Sequence, residues 1–172
     1  ASIEDYYGEL KADFANKFLG GGALFSGCVQ EEIMFTNHPE LFTVQLLCEV
    51  MRPNECIFLS GYKKYFKNKG YGWTAEYDGH ETHEYKYDVN KQAIEYITAI
   101  DALHFVHKGY GAQFSAELVN REILKAYCGF NFKNPSVKKV ITGNWGCGAF
   151  GGNIPLKFII QWLACSLVKK EM

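Results

Sequence analysis

The segment over residues 137–169 constrains the fold most, because an apolar run, a glycine-rich loop and a helical pattern follow one another in it. Residues 137–141 predict a buried strand, and the loop at residues 142–152 has the sequence TGNWGCGAFGG. Asn153 is a favourable N-cap and Pro155 fits a first helical turn, so we predict a helix over the rest of the segment. Such a loop presents backbone N–H groups at a helix N-terminus, which suits phosphate. Its glycines fit a tight structural turn equally well, so both interpretations stay open.

The rest of the chain also alternates apolar strands with helices. The predicted strands or extended segments are residues 11–19, 56–60 and 93–102, and the predicted helices begin at residue 29 and cover residues 39–51 and 117–127. Residues 62–90 are polar, aromatic and glycine-bearing, and they predict long loops or a hairpin. This alternation predicts one α/β domain over residues 1–172, with a mostly parallel or mixed sheet.

Composition narrows the classes of function. The chain is 48% hydrophobic and carries a formal net charge of −1, which excludes an intrinsically disordered chain. It also leaves no overall basic field, so we expect no direct binding of nucleic acid, and a polyanionic ligand would have to be held by local backbone donors. The longest apolar stretch, residues 158–168, is too short for a bilayer, which needs about 20 apolar residues. We therefore expect no membrane partner.

Six cysteines, at positions 28, 48, 56, 128, 147 and 165, form no CxxC pair, and His-rich metal spacing is absent. We interpret them as buried or half-buried thiols of a reducing compartment. We therefore expect an intracellular protein of the nucleus, the cytoplasm or both, with no metal and no cofactor.

Acidic residues mark a second candidate region, where Gln30-Glu31-Glu32 begins a predicted helix soon after a glycine triplet. Neighbouring helical side chains point about 100° apart, so only one of the two carboxylates can act as acid and base on a given bond. The other would hold a substrate hydroxyl. A solvated helix face is the alternative for this pair, and a polar strand edge is the alternative for Asp13. Together with the glycine loops, the acids predict a phosphate-and-sugar cleft at the carboxyl ends of the strands.

These motifs carry a resemblance to a known family. The sequence DFAN at residues 13–16, the triplet GGG at 20–22 and QEE at 30–32 resemble the signature of poly(ADP-ribose) glycohydrolases. Residues 99–105, 125–130 and 142–152 agree with the family in the same order. The resemblance implies a macrodomain, a three-layer α/β/α fold with a mixed sheet that binds ADP-ribose, here incomplete at both ends. It also implies hydrolysis of the ribose–ribose O-glycosidic bonds of poly(ADP-ribose).

The resemblance also implies residue roles. Glu32 would be the acid/base carboxylate, Glu31 would bind ribose hydroxyls, and Asp13 would be the supporting acid. A glutamic acid that protonates a leaving group near neutral pH needs a raised pKa, and we expect Glu31 and Asp13 to raise that of Glu32. The implied substrate contacts are Ile3, Glu4, Asn16, Gln30, Tyr71, Asn144, Trp145, Gly146, Cys147, Gly148, Ala149 and Phe150.

Two other functions remain open from the sequence. The chain could be a module, or an inactive fragment, that binds ADP-ribose or its polymer without turnover. Alternatively, Cys147 could be a nucleophile with His104 as its base, although a lone cysteine and a distant histidine form a weak pattern. The expected partners are poly(ADP-ribose), ADP-ribose, ADP-ribosylated proteins and the remaining segments of the chain's own domain.

Overall fold

The computed structural model describes residues 2–106 and 109–172. Six strands, four helices and three short 3-10 turns lie in these ranges. The strands are β1 (Leu10–Asp13), β2 (Ile57–Gly61), β3 (Phe66–Lys69), β4 (Glu76–His80), β5 (Ala93–Ala99) and β6 (Val140–Ile141). The helices are α1 (Gln30–Asn37), α2 (Leu41–Gln45), α3 (Ala116–Phe130) and α4 (Ile154–Val168). Within these ranges, none of the helices is long and apolar enough to cross a membrane.

The main sheet has four strands in the order β2-β5-β1-β6. Strand β1 pairs in parallel with both β5 and β6, whereas β2 pairs with β5 in the antiparallel direction. The predicted mixed sheet is therefore confirmed. The three parallel strands bring their carboxyl ends to one edge, and the loops that follow them meet there.

Two hydrophobic cores cover the two faces of this sheet, because side chains of a strand alternate between faces. Ile97 and Ala99 of β5 pack with residues of α1 and α2. Tyr96 and Ile100 lie with residues of α3 and α4, including the buried Ile160. The layers are thus helices, sheet and helices, which confirms the predicted three-layer α/β/α arrangement.

Three of the four predicted strands are longer than the observed ones, whereas the strand predicted at residues 56–60 matches β2 within one residue. The segment predicted at residues 11–19 is a strand only up to Asp13, whose partner on β5 is Ala99, the last residue of that strand. The strand predicted at residues 137–141 pairs with β1 only through Val140–Ile141. Residues beyond these positions leave the sheet and form the loops at its carboxyl edge.

The helix predicted over residues 39–51 is wrong in length, since α2 covers only Leu41–Gln45. The backbone N–H of Met51 donates to the carbonyl of Lys17 at 2.9 Å, so the chain leaves the helical path before that point. Leu47 is exposed, and the apolar spacing that predicted a longer helix does not face the core there.

The polar region between β2 and β5 contains a hairpin, in which β3 and β4 form a separate antiparallel two-stranded sheet. A hairpin is one of the two forms that the sequence predicts for this region. The hairpin is joined to α1, because the side-chain amide of Asn37 donates to Asn68 Oδ1 at 2.7 Å and the backbone N–H of Tyr65 donates to the Asn37 carbonyl at 2.8 Å. Its connecting turn carries Tyr71 toward the edge of the main sheet.

Candidate active site

A cavity of about 340 Å³ lies at the carboxyl edge of the parallel strands. Each strand contributes the residues that follow it: Phe14 and Ala15 after β1, Ala102 after β5, and residues 144–150 after β6. The remaining wall consists of Val29, Gln30, Tyr71 and Ile154. The cavity thus brings together residues 144–150 of the glycine-rich loop, one residue of the QEE motif and the predicted tyrosine.

Two features fix the conformation of the loop after β6, namely a buried tryptophan and a glycine in left-handed backbone. The Trp145 side chain is buried, and its Nε1 donates to the Ile100 carbonyl at 2.8 Å. Gly146 has a φ of +72°, which glycine adopts without strain. A Cβ atom there would lie 2.4 Å from Ala102 Cβ, so the loop packs directly on the segment after β5.

Backbone amides of this loop are available to a ligand. The N–H groups of Cys147 and Gly152 close the loop by donating to Asn144 and Gly146 carbonyls at 3.0 and 2.9 Å. Within residues 2–106 and 109–172, the N–H groups of Gly148 and Ala149 donate to no acceptor. Free amides on a cavity wall suit the oxygens of a phosphate group.

Helix α4 begins directly after the loop and adds to this donor set. Asn153 caps the helix, with its side-chain oxygen accepting from the Leu156 N–H at 2.9 Å, and Pro155 occupies the first turn. The predicted cap is confirmed. The positive end of the dipole of this 15-residue helix lies beside the cavity, where it favours an anionic ligand.

Asp13 and Glu31 form a buried carboxyl pair behind the cavity. The Glu31 carboxylate accepts from the backbone N–H groups of Asn16 at 2.8 Å and Gly20 at 2.6 Å. Both carboxyl oxygens of Asp13 are buried without a hydrogen-bond partner in the described part of the chain. Burial raises the pKa values of Asp13 and Glu31 well above the usual range, with further increases from Glu32 acting on Asp13 and from Asp13 acting on Glu31. At neutral pH the Asp13 and Glu31 pair therefore holds at least one proton.

Glu32 is buried, and the lining residue Val29 separates it from the cavity. Its Oε2 accepts from the backbone N–H of Val29 at 2.9 Å, and Val29 itself lines the cavity. Its Oε1 accepts from the N–H of Gly22 at 3.1 Å. Glu32 also lines an adjacent cleft of about 220 Å³ between α1 and the β3–β4 hairpin. The carboxyl group is thus enclosed by the chain rather than presented on a solvated helix face.

Glycines let the chain pass close to these carboxylates. A Cβ atom at Gly21 would lie 2.7 Å from Glu32 Oε1 and 2.8 Å from Glu31 Oε2. A Cβ atom at Gly27 would lie 2.7 Å from the Glu32 carboxyl carbon. Gly21 also has a φ of +49°. The glycine triplet therefore lets the backbone pack against the carboxylates of Glu31 and Glu32, whereas the loop after β6 forms the wall that suits phosphate.

Several predicted contact residues have structural hydrogen bonds. Gln30 joins α1 to β1: its Oε1 accepts from the Phe14 N–H at 2.8 Å and its Nε2 donates to the Ala12 carbonyl at 3.2 Å. The Asn16 side chain accepts from the Phe18 N–H at 3.0 Å. Tyr71 is more than half exposed at the rim of the cavity, where it is open to contact with a ligand.

Ile3 and Glu4 lie outside the cavity. Ile3 lines a wider, open hollow of about 820 Å³ between β6 and α4. Glu4 is buried, with its carboxylate 3.3 Å from Lys64 Nζ and accepting from Asn37 Nδ2 at 2.8 Å. The two neighbours in sequence therefore point to different clefts, and the Glu4 carboxylate is already paired in this structure.

Sequence reasoning missed several lining residues, namely Phe14, Ala15, Val29, Ala102 and Ile154. Phe14, Ala15 and Ala102 directly follow strands β1 and β5, and the carboxyl-edge rule could have identified them. Val29 and Ile154 are the residues beside the helix starts, where a ligand at a helix N-terminus would touch them.

Cys147 of the alternative cysteine mechanism lines the cavity, and its thiol contacts a backbone carbonyl. The Cys147 thiol is directed to the Trp145 carbonyl at 3.6 Å, and burial raises its pKa, which disfavours the thiolate. The His104 ring packs against Phe150 with ring centroids 5.0 Å apart. Across the described ranges, no group of three or more histidine, cysteine and acidic side chains could hold a metal ion.

Comparisons with known proteins agree with this geometry. A family model described as poly(ADP-ribose) glycohydrolase with the macro domain fold matches residues 1–172. The chain is 38% identical over 184 residues to poly(ADP-ribose) glycohydrolase 1 of Caenorhabditis elegans, covering 99% of the chain and 23% of that relative. It is 36% identical to poly(ADP-ribose) glycohydrolase 2 of the same organism, covering 99% of the chain and 38% of the relative.

A plant relative is similar over nearly the same extent. The chain is 31% identical to the probable poly(ADP-ribose) glycohydrolase 2 of Arabidopsis thaliana, covering 96% of the chain and 39% of that relative. The chain thus spans less than half the length of each of these curated relatives. Because the family model extends over the full 172 residues, the chain belongs to the poly(ADP-ribose) glycohydrolase family, which has the macro domain fold.

Proposed function

We propose that this chain carries the site that hydrolyses the ribose–ribose O-glycosidic bonds of poly(ADP-ribose) and releases ADP-ribose. The observation that supports it most is one cavity whose wall offers free loop amides and whose lining residue Val29 is hydrogen-bonded to the buried carboxyl group of Glu32. A diphosphate needs the first feature and acid-assisted cleavage of a sugar bond needs the second. The names of the relatives support the same activity.

In this proposal the diphosphate lies against the amides of Gly148 and Ala149 and the N-terminus of α4. The terminal ribose extends toward the start of α1. The carboxylic acid of Glu32 donates its proton to the leaving 2′-oxygen as the C–O bond breaks through an oxocarbenium-like state. The resulting carboxylate takes a proton from water as the water oxygen bonds to the anomeric carbon. One water is consumed, and Glu32 returns to its acid form.

The carboxyl pair has a supporting role in the same proposal. Glu31 is fixed by the Asn16 and Gly20 amides, and burial and Asp13 raise its pKa, so in its protonated form it can orient ribose hydroxyls without adding a full charge beside Glu32. Proteins that carry ADP-ribose polymers are the proposed macromolecular partners, since they present this substrate.

A binding module without turnover is the second candidate. It is favoured by the position of Glu32, which reaches the cavity only through Val29 and lines the neighbouring cleft instead. Both functions predict binding of ADP-ribose, and only the first predicts cleavage of the polymer.

The Glu32→Gln variant tests the proposal with radiolabelled poly(ADP-ribose) as substrate and calorimetry of ADP-ribose binding as the second measurement. We expect the wild-type chain to release ADP-ribose, and the variant to lose about 10²-fold or more of that rate, because an amide cannot donate an acidic proton. Binding should be retained. Near-normal turnover by the variant would refute the acid/base role, and binding without turnover by the wild type would identify a binding module.

A further inference from the structure

A buried lysine lies beneath the loop that forms the diphosphate wall. Lys157, in the first turns of α4, is almost fully buried, and its Nζ lies 4.0 Å from the centroid of the Trp145 ring. The same atom is 3.3 Å from the position that a Cβ of Gly146 would occupy. Its Cε is 3.1 Å from the equivalent position at Gly152. The end of the Lys157 side chain thus lies close to both ends of the 146–152 segment, and Lys157 is not among the residues that line the cavity.

Lys157 is one end of a buried chain of charges. It forms an ion pair with Glu122 of α3, and Glu122 pairs with Arg121 at 2.6 Å. Asp101, directly after β5, then pairs with both Arg121 and Lys125 at 2.6 Å. Three cations and two carboxylates give the group a formal net charge of +1. Charge placed in a buried network is screened far less than charge on the surface.

The network also fixes the segment against which the loop packs. Glu122 Oε1 accepts from the Leu103 N–H at 3.1 Å, and Arg121 Nη1 donates to the Asp101 carbonyl at 2.8 Å. Ala102 lies between these two anchored residues and is the residue on which Gly146 rests. Loop, strand end and helix α4 are therefore held in one arrangement through the charges of Lys157 and Glu122.

We propose that Lys157 is a positioning residue for the diphosphate of ADP-ribose, acting through the 146–152 segment and supplying the positive charge that this segment's own side chains lack. This inference rests on the proposed function, because the ligand in question is ADP-ribose. Residues 140–156 contain no lysine or arginine, so the nearest cation along this stretch of sequence is the one below the loop.

The electrostatic setting of Lys157 supports the inference. Burial, followed by the positive charge of Arg121, lowers its pKa to about 7, whereas Asp101 acts in the opposite direction. Glu122 and the Trp145 ring are the other groups that face the ammonium. An anion bound against the loop would favour the charged form, so ligand and lysine stabilise each other.

Substitutions at Lys157 test the role of its charge. Lys157→Met removes the charge and keeps an unbranched side chain on the Trp145 ring, whereas Lys157→Arg keeps a cation. We expect the methionine variant to bind ADP-ribose about tenfold more weakly by calorimetry, the scale of one lost charge interaction. We expect the arginine variant to retain more affinity than the methionine variant. A role in packing alone predicts the reverse order, because methionine fits an apolar site and arginine is larger.

The double variant Lys157→Met/Glu122→Gln guards against misfolding, since removing one partner of a buried ion pair leaves the other charge uncompensated. The matched control is Lys11→Met/Glu95→Gln, which removes a second buried lysine–glutamate pair, between β1 and β5. Circular dichroism and thermal unfolding are measured on all variants. At equal unfolding midpoints, we expect the Lys157→Met/Glu122→Gln variant to lose more affinity for ADP-ribose than the control variant loses.

The outcomes separate this inference from the proposed function. Wild-type protein that fails to bind ADP-ribose contradicts the proposed function itself. The inference alone is contradicted if the wild type binds ADP-ribose and the folded Lys157→Met/Glu122→Gln variant binds it with an affinity within about twofold of the wild-type value. Equal losses in the two double variants likewise overturn it, because they indicate a general effect on stability.

Discussion

Gly146→Ala is the substitution whose effect the structure defines most closely. The residue has a φ of +72°, and an added Cβ would lie 2.4 Å from Ala102 Cβ. Placing an L-residue in left-handed backbone costs about 1–2 kcal/mol, and overpacking a filled site costs about 1–3 kcal/mol. We therefore expect the free energy of unfolding to fall by about 3 kcal/mol. For a domain of this size each kcal/mol shifts the unfolding midpoint by about 2–4 °C, so the midpoint should fall by about 10 °C.

The matched control is Gly148→Ala in the same loop. Among the described residues a Cβ there would meet no atom within 4 Å, and its φ is not positive. We expect this variant to unfold at the wild-type midpoint in thermal scans, and to weaken ADP-ribose binding if its Cβ enters the cavity that Gly148 lines. If Gly146→Ala unfolds within about 2 °C of the wild type, the reasoning about left-handed backbone and close packing on Ala102 is refuted.

Two further predictions concern the titrating groups. Asp13 and Glu31 have raised pKa values in the folded state, so they bind more protons when folded, and their contribution to stability is lost as the pH rises from about 4 through those raised values. Urea unfolding between pH 4 and 8 should therefore show stability falling with pH, less steeply in Asp13→Asn; an unchanged slope in that variant contradicts the raised pKa of Asp13. Cys147→Ser should retain turnover of the polymer, because its thiol bonds the Trp145 carbonyl and has a raised pKa. Loss of turnover in a folded serine variant would favour the cysteine mechanism.

Local sequence patterns predicted the elements that depend on local chemistry. The Asn153 cap, the start of α1 and the apolar run of β5 each follow from neighbouring residues, and the structure contains them. The carboxyl edge of the parallel strands could be anticipated from the same alternation of elements. The predicted cavity wall at residues 144–150 lies at this edge for that reason.

Features that depend on distant contacts could not be predicted. The length of α2 depends on the bond from Met51 to Lys17, and nothing in residues 39–51 reveals that partner. Lys157 resembles a surface lysine in the sequence, because its burial depends on Glu122 of another helix. The sequence predicted a raised pKa for Glu32, whereas the raised pKa values of Asp13 and Glu31 come mainly from their burial, which neighbouring residues do not reveal.

The β3–β4 hairpin, whose connecting turn places Tyr71 at the cavity rim, is separate from the main sheet. Two-stranded hairpins are only marginally stable by themselves, and this one is fastened mainly through Asn37 and through the Cys28 thiol, which bonds the Gly72 carbonyl at 2.7 Å. The amide wall at residues 144–150 is instead anchored beside the main sheet by the bond from Trp145 Nε1 to the Ile100 carbonyl. Loosening the hairpin would therefore displace Tyr71 at the rim and leave this wall in place.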